Sequence, residues 1–194
     1  MKDLTMLIGH ADDEAIFLWA FLERTKKIIC ASSDRFNKDR QWCRERGECL
    51  REVGKLIGAE IVIHENDSEF YRLPTRNGSL KVVAEDLLRA LEGSETVASH
   101  NAWGEYANID HQICHHIART HQARHGGQLL VTDIATEINW LPVTAWEIDL
   151  PQRNMTLKTR IDRPLFDRIK AIYDARGCWT WSFPVQEECR VYSL

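Results

Sequence analysis

Leu4-Thr5-Met6-Leu7-Ile8-Gly9-His10-Ala11-Asp12-Asp13-Glu14 is the stretch on which the fold turns. Its first half, Leu4–Ile8, is a short apolar run that reads as a buried strand. Its second half delivers an imidazole and three carboxylates at the strand's end. The segment that follows, Glu14–Arg24, is apolar almost all round and reads as a buried helix. Outward from this unit the pattern repeats. Lys27–Ser32 is a second strand. Arg40–Ile57 is a long amphipathic helix with Cys43, Leu50, Val53, Leu56 and Ile57 for an inner face, stopped by Gly58. Glu60–His64, a helix over Leu80–Leu91, Thr96–Ser99, a helix starting near Asp110, and Gln128–Thr132 continue the alternation. Parallel strands require crossover connections, so repeated strand–helix units imply a sheet covered on both faces. The expected fold is a single α/β domain over residues 1–194, a Rossmann-like three-layer sandwich with a mostly parallel sheet. Its last fifty residues are less regular, with Thr144–Leu150 strand-like and Arg163–Arg176 helical.

Composition narrows the function. With 25 Lys+Arg against 29 Asp+Glu, the 194-residue chain has a net charge of -4, which excludes a generally basic nucleic-acid binder. The apolar run Ala15–Leu22 is far short of the ~20 residues that span a bilayer, so no membrane association is expected. Cys30, Cys43, Cys49, Cys114, Cys178 and Cys189 form no CxxC pair, and read as small core residues of a reducing, cytoplasmic compartment. A dinucleotide-binding domain is disfavoured, because the first strand–helix turn has no GxGxxG and places acids where a pyrophosphate would sit.

Ligands of open parallel sheets bind beyond the carboxyl ends of the strands. The His10–Glu14 turn lies there. Asp12 or Asp13 could simply cap the helix, with Glu14 favouring its positive end. Capping accounts for one or two acids, but not for a histidine followed by consecutive aspartates. The chemical reading has His10 and one aspartate as metal ligands, while the other aspartate takes a proton from a metal-bound water. A second strand end, after Thr96–Ser99, leads into His100-Asn101-Ala102-Trp103-Gly104-Glu105-Tyr106-Ala107-Asn108-Ile109-Asp110-His111. His111 falls in the first turn of the next helix, with Asp110 as its expected cap. If His111 is the third ligand, two histidines and one aspartate suit zinc or another divalent transition metal. His115, one turn further on the same face, could support the site. His116, His121 and His125 read as helix surface.

Together the two segments resemble the PIG-L/LmbE family of metal-dependent N-deacetylases. Its signature is an Ala-His-Pro-Asp-Asp-Glu turn and a later His-Pro-Asp-His, present here as Gly9-His10-Ala11-Asp12-Asp13-Glu14 and Asn108-Ile109-Asp110-His111. Trp103-Gly104-Glu105-Tyr106 and the helix carrying Arg44 and Glu48 also look like the family's. The likeness runs in order and spacing from about residue 4 to 135. It implies a metal, Zn2+ or a related divalent ion, on His10, Asp13 and His111. Asp12 would then be the base that activates the water for attack on an N-acetyl carbonyl. It further implies Tyr106 as a hydrogen-bond donor to the oxyanion, Asp110 as a support, and Arg44 and Asp67 as substrate contacts. For Arg44 a helix pair with Glu48, and for Asp67 an Asx turn, are the plain alternatives. Asn108 departs from the family histidine: it can donate to an oxyanion but cannot shuttle a proton. The expected activity is removal of an acetyl group from an N-acetylated amino sugar or related small amide. A phosphoester hydrolase and a non-catalytic binding module of the same fold are the rivals, and a homo-oligomer is left open.

The C-terminal Cys178-Trp179-Thr180-Trp181-Ser182-Phe183-Pro184 concentrates aromatics, read as core or interface packing. The basic residues Lys158, Arg160, Arg163, Arg168 and Lys170 read as a solvated face.

Overall fold

The computed structural model describes residues 3–33, 39–64, 79–134 and 155–194. Asp67 and the strand-like Thr144–Leu150 lie outside them. Strands β1 (Leu4–Ile8), β2 (Thr25–Cys30), β3 (Glu60–Ile63), β4 (Thr96–Ser99), β5 (Gln128–Thr132), β6 (Met155–Arg160) and β7 (Glu188–Ser193) form one sheet in the order β3-β2-β1-β4-β5-β7-β6. The pairs among β1 to β5 are parallel, and β5–β7 and β6–β7 are antiparallel. The chain winds outward from β1 in both directions, so the switch point falls between β1 and β4. A crevice opens there at the strands' carboxyl ends.

Alternation along β1 divides the core. Leu4, Met6 and Ile8 face one apolar cluster and Leu7 the other. Against the first face pack α1 (Asp13–Ile16), α2 (Arg40–Ile57) and α6 (Arg163–Asp174). Against the second pack α3 (Ser79–Ala90) and α5 (Ile109–His125). The layers are therefore helix, sheet, helix, as the alternation of the sequence predicts.

Helix α2 has the predicted bounds for local reasons. Asp39 accepts hydrogen bonds from the Gln41 and Trp42 amides at the start, and Gly58 stops it at φ 72°. Gly54 is required by packing, since a Cβ there would overlap the Ile61 side chain of β3.

The expected helix over Glu14–Arg24 is instead a four-residue α1 followed by a 3-10 turn over Trp19–Arg24. Thr132 Oγ1 donates to the Phe17 carbonyl at 3.2 Å, drawing it out of the helical ladder. The cap of α5 is Asn108 rather than Asp110. Asn108 Oδ1 accepts from the amides of Asp110 at 2.8 Å and His111 at 3.3 Å, while Asp110 is already helical. Strands β6 and β7 were not anticipated, because β6 is a polar edge held by Lys158 and Arg160 against Glu188 rather than by an apolar face.

Candidate metal centre and active site

Gly9 leaves β1 and turns the chain so that His10, Asp12 and Asp13 all point into the crevice floor, where each is buried. The turn is tight enough to hold Asp12 at φ 89°, a left-handed conformation that Asp tolerates better than most residues. Opposite, β4 ends in His100, and a short α4 (Gly104–Ala107) leads into α5 with His111 in its first turn. Non-helical backbone at Glu105 (φ 53°) and Ala107 (φ 67°) aims Glu105 inward instead of continuing a helix.

These two turns meet around the Asp13 carboxylate. Its Oδ2 accepts the His10 amide at 2.7 Å. The same oxygen lies 3.6 Å from His10 Nδ1, 3.4 Å from His100 Nε2 and 3.3 Å from His111 Nε2. Burial opposes ionisation of Asp13, but the imidazoles around it, His111 foremost, outweigh it and hold the carboxyl well below its usual range.

Glu105 orders the imidazoles from behind. Its Oε2 receives His100 Nδ1 at 2.9 Å and His111 Nδ1 at 2.7 Å, and its Oε1 accepts the Asn101 amide at 3.0 Å. Burial works against the Glu105 charge, yet His100 and His111 bring its pKa down to about 2. An ionised carboxylate can only accept, so both histidines place a proton on Nδ1, which leaves Nε2 as the nitrogen able to offer a lone pair. His100 Nε2 uses that lone pair on the Gly9 amide at 3.0 Å. His111 Nε2 is buried with no hydrogen-bond partner among the described residues. On the other ligand, Asp110 Oδ2 lies 3.0 Å from His10 Nε2, leaving Nδ1 toward Asp13. Burial lowers the His10 pKa, but Asp110 and Asp13 more than reverse this and raise it to about 10.

The donor set fits a metal ion. Ligand atoms of His10, Asp13 and His111 lie within 4.8 Å of one another. A tetrahedral ion with bonds of about 2.0–2.2 Å needs its ligand atoms roughly 3.5 Å apart, a small contraction from this arrangement. Each histidine also has the outer carboxylate that metal-bound imidazoles usually have, Asp110 on His10 and Glu105 on His111. His100, Glu105 and His111 form a second close trio. Glu105 Oε2 and the two Nδ1 atoms are spent on one another, so that this trio acts as a buttress.

Asp12 sits beside this centre, 1% exposed. Its Oδ1 accepts from Arg46 at 2.7 Å, and its Oδ2 from the Thr180 amide at 3.2 Å and hydroxyl at 2.6 Å. Burial raises its pKa, and Asp13 adds to this against the opposing pull of Arg46 and Thr180. Its backbone amide is shared between Tyr173 Oη and Glu14 Oε2, at 3.0 and 2.9 Å, and Tyr173 donates to Glu14 Oε1 at 2.8 Å.

Tyr106 leans over His111, with ring centres 5.3 Å apart, and completes an aromatic wall with Phe17 and Trp181. Asn108 Nδ2 donates to Tyr106 Oη at 2.8 Å. Both ends of the Asn108 amide are thus used, one on the helix cap and one on the phenol. His115 Nδ1 donates to the His100 carbonyl at 2.9 Å, and so supports the second strand end.

The structure therefore gathers His10, Asp12, Asp13, Tyr106, Asn108, Asp110 and His111 in one place. It does not bring Arg44 there: Arg44 is exposed on α2, and Glu48 pairs with Arg51 instead. The arginine at the crevice is Arg46, buried and bound to Asp12. A signal for it existed, since Arg46 lies on the apolar stripe of Cys43, Leu50 and Val53 at helical spacing, whereas Arg44 lies off it. Thr180 and Tyr173 were missed for want of any local pattern, and Glu105 stood in a segment noted for its resemblance but was given no role.

No family model and no curated relative matches the chain. Solved structures do match in fold. A deacetylase of the teicoplanin biosynthesis pathway, solved with teicoplanin, superposes with TM-score 0.65 over 100% of this chain and 99% of its own, at 11% identity. A triple mutant of a deacetylase from that pathway gives 0.67 over 99% and 97% at 11% identity. The zinc-inhibited form of a teicoplanin deacetylase gives 0.66 over the same shares at 10% identity. The chain shares the α/β fold of these deacetylases over its whole length.

Proposed function

We propose that the chain is a metal-dependent hydrolase that removes an N-acetyl group from an N-acetylated amino sugar or a related small amide. The observation that carries this is the buried, unpartnered Nε2 of His111, facing Asp13 in a trio whose ligand atoms lie within 4.8 Å. That the fold's neighbours include deacetylases favours the amide over a phosphoester.

His10, Asp13 and His111 would hold the ion, with zinc the first choice for two imidazoles and a carboxylate. When bound, it supplies Lewis acidity toward a carbonyl oxygen and a water of lowered pKa. Asp110 and Glu105 keep the ligand lone pairs pointed inward. Asp12 accepts the water's proton on Oδ2, the oxygen that Arg46 does not hold, once the Thr180 hydroxyl yields to the incoming water. The burial that raises its pKa suits it to that task. Because the Tyr106 oxygen accepts from Asn108, the phenol's proton is turned outward and donates to the carbonyl oxygen as negative charge builds there. Asn108 cannot carry a proton, so Asp12 returns the proton it has taken to the leaving amine. Arg46 holds Asp12 in place, whereas Arg44, expected as a substrate contact, is exposed on α2.

Among the described residues no helix is long and apolar enough to cross a membrane. All six cysteines are buried and unbridged, in keeping with a reducing compartment.

The test is acetate release from a panel of N-acetylated amino sugars. Activity should vanish on chelation and return with zinc, and Asp12→Asn should keep zinc but not turn over. Phosphate release from phosphoesters without acetate release would transfer the site to the first rival. The engagement of both Asp12 oxygens is the observation that favours the binding module. Zinc uptake and ligand binding with no turnover on any substrate would establish that reading instead.

A further inference from the structure

Helix α5 carries histidines at both ends, and only the first end belongs to the centre above. About 15 Å further along the helix axis, His121 and His125 line a cavity of about 500 Å3. It lies at the amino ends of β4 and β5, the opposite edge of the sheet from the crevice, and Gly93, Ser94, Glu95, Gly126 and Gly127 complete it.

His121 is only 2% exposed, and its Nε2 donates to the Ser94 carbonyl at 3.0 Å. That bond fixes the tautomer and leaves a lone pair on Nδ1, which is buried with no hydrogen-bond partner among the described residues. A buried acceptor left this way is costly unless something fills it. A ring that donates one N–H to a carbonyl and offers its other nitrogen is the usual state of a metal-bound histidine. His125 stands one turn on, with its ring centre 4.9 Å from that of His121. Two imidazoles on one tetrahedral zinc, with bonds of about 2.0–2.1 Å, have ring centres about 5 Å apart. The last carbonyls of α5 place partial negative charge here, and Glu95 lines the same cavity, so the site favours a cation.

We propose that His121 Nδ1 and His125 bind a divalent transition metal, zinc or copper, at a second site separate from the catalytic centre. The remaining positions would be filled by water or Glu95.

The test is zinc titration of the untagged, metal-stripped protein by calorimetry, with nitrogen-15 spectra of the histidine rings. The wild type should take up two equivalents. His125→Ala, an exposed and structurally mild change, should take up one and keep its hydrolytic activity. In the wild type, zinc should move the His121 Nδ1 resonance while Nε2 stays protonated. Uptake unchanged in His125→Ala, or a His121 Nδ1 resonance indifferent to zinc, overturns the proposal. Failure of the catalytic reading would look different: the equivalent lost with His111→Ala would be absent, and the one lost with His125→Ala would remain.

Discussion

Arg46→Met removes the charge that faces Asp12 and keeps most of the side chain's length and packing. The pair it breaks is buried, with side chains 8% and 1% exposed and a 2.7 Å contact. Losing one partner of such a pair leaves the other charge uncompensated and typically costs about 3–5 kcal/mol. The lower end applies here, because the Thr180 amide and hydroxyl still bind the other Asp12 oxygen. For 194 residues the unfolding entropy near 60 °C is about 0.4 kcal/mol/K, so ~3 kcal/mol corresponds to a Tm lower by about 7 °C. Urea denaturation in chelator, which keeps metal out of the comparison, reads the same loss as a shifted midpoint at unchanged slope.

The cause is separable from general damage by a double-mutant cycle. If the stranded carboxylate is responsible, Asp12→Asn should be destabilising alone but should recover stability in the Arg46→Met background, with a coupling of about 1–3 kcal/mol. A double variant as unstable as the sum of the two singles would refute the argument, and with it the role of Arg46 as the residue that positions Asp12.

Four further outcomes are expected. Glu105→Gln sets an amide N–H2 or a lone acceptor against three donors, so zinc affinity should fall about 10–100-fold in competition with a chelating dye; affinity within twofold of wild type would remove Glu105 from its ordering role. Gly9→Ala places a Cβ 2.9 Å from His111 Cδ2 and 3.3 Å from Asp13 Oδ2, and should weaken zinc binding. Gly47→Ala, whose nearest neighbour would be 3.5 Å away, should not. Tyr106→Phe should retain zinc yet lose about 10²-fold or more in kcat, as removal of an oxyanion donor does. His115 is held neutral by burial, its pKa lowered to about 4 from 6.5. The stability it contributes is therefore complete above pH 6.5 and is lost as the pH falls toward 4, by about 3 kcal/mol. The stability gap between wild type and His115→Gln, measured in chelator, should shrink across that window, and a constant gap would contradict it.

What was legible in the sequence is what neighbours along the chain decide. Asp39, the apolar stripe and Gly58 bound α2 without outside help. Where a distant group intervenes, local reading fails: Thr132 takes the Phe17 carbonyl and ends α1 after four residues. That His10, Asp13 and His111 come together was legible because they sit at two strand ends, which a parallel sheet must bring to one edge. The groups that tune it were not. Thr180 and Tyr173 lie 168 and 161 residues from Asp12, and no spacing rule connects them.

Arg46 is the instructive case, since a charge on the apolar stripe of a helix is itself a signal. Such a residue needs a partner inside the protein, and among the described residues the end of β1 delivers the acids of the Asp12-Asp13-Glu14 turn. Of these, Asp13 is claimed by three imidazoles and Glu14 by Tyr173. Asp12 is what remains. The division we propose for the turn, one carboxylate for the metal and one for the proton, thus rests on which buried groups each can reach: imidazoles on one side, a guanidinium on the other. That guanidinium leaves Oδ2 as the one Asp12 oxygen free of a formal charge, so a base built this way must work through the oxygen that Thr180 now covers.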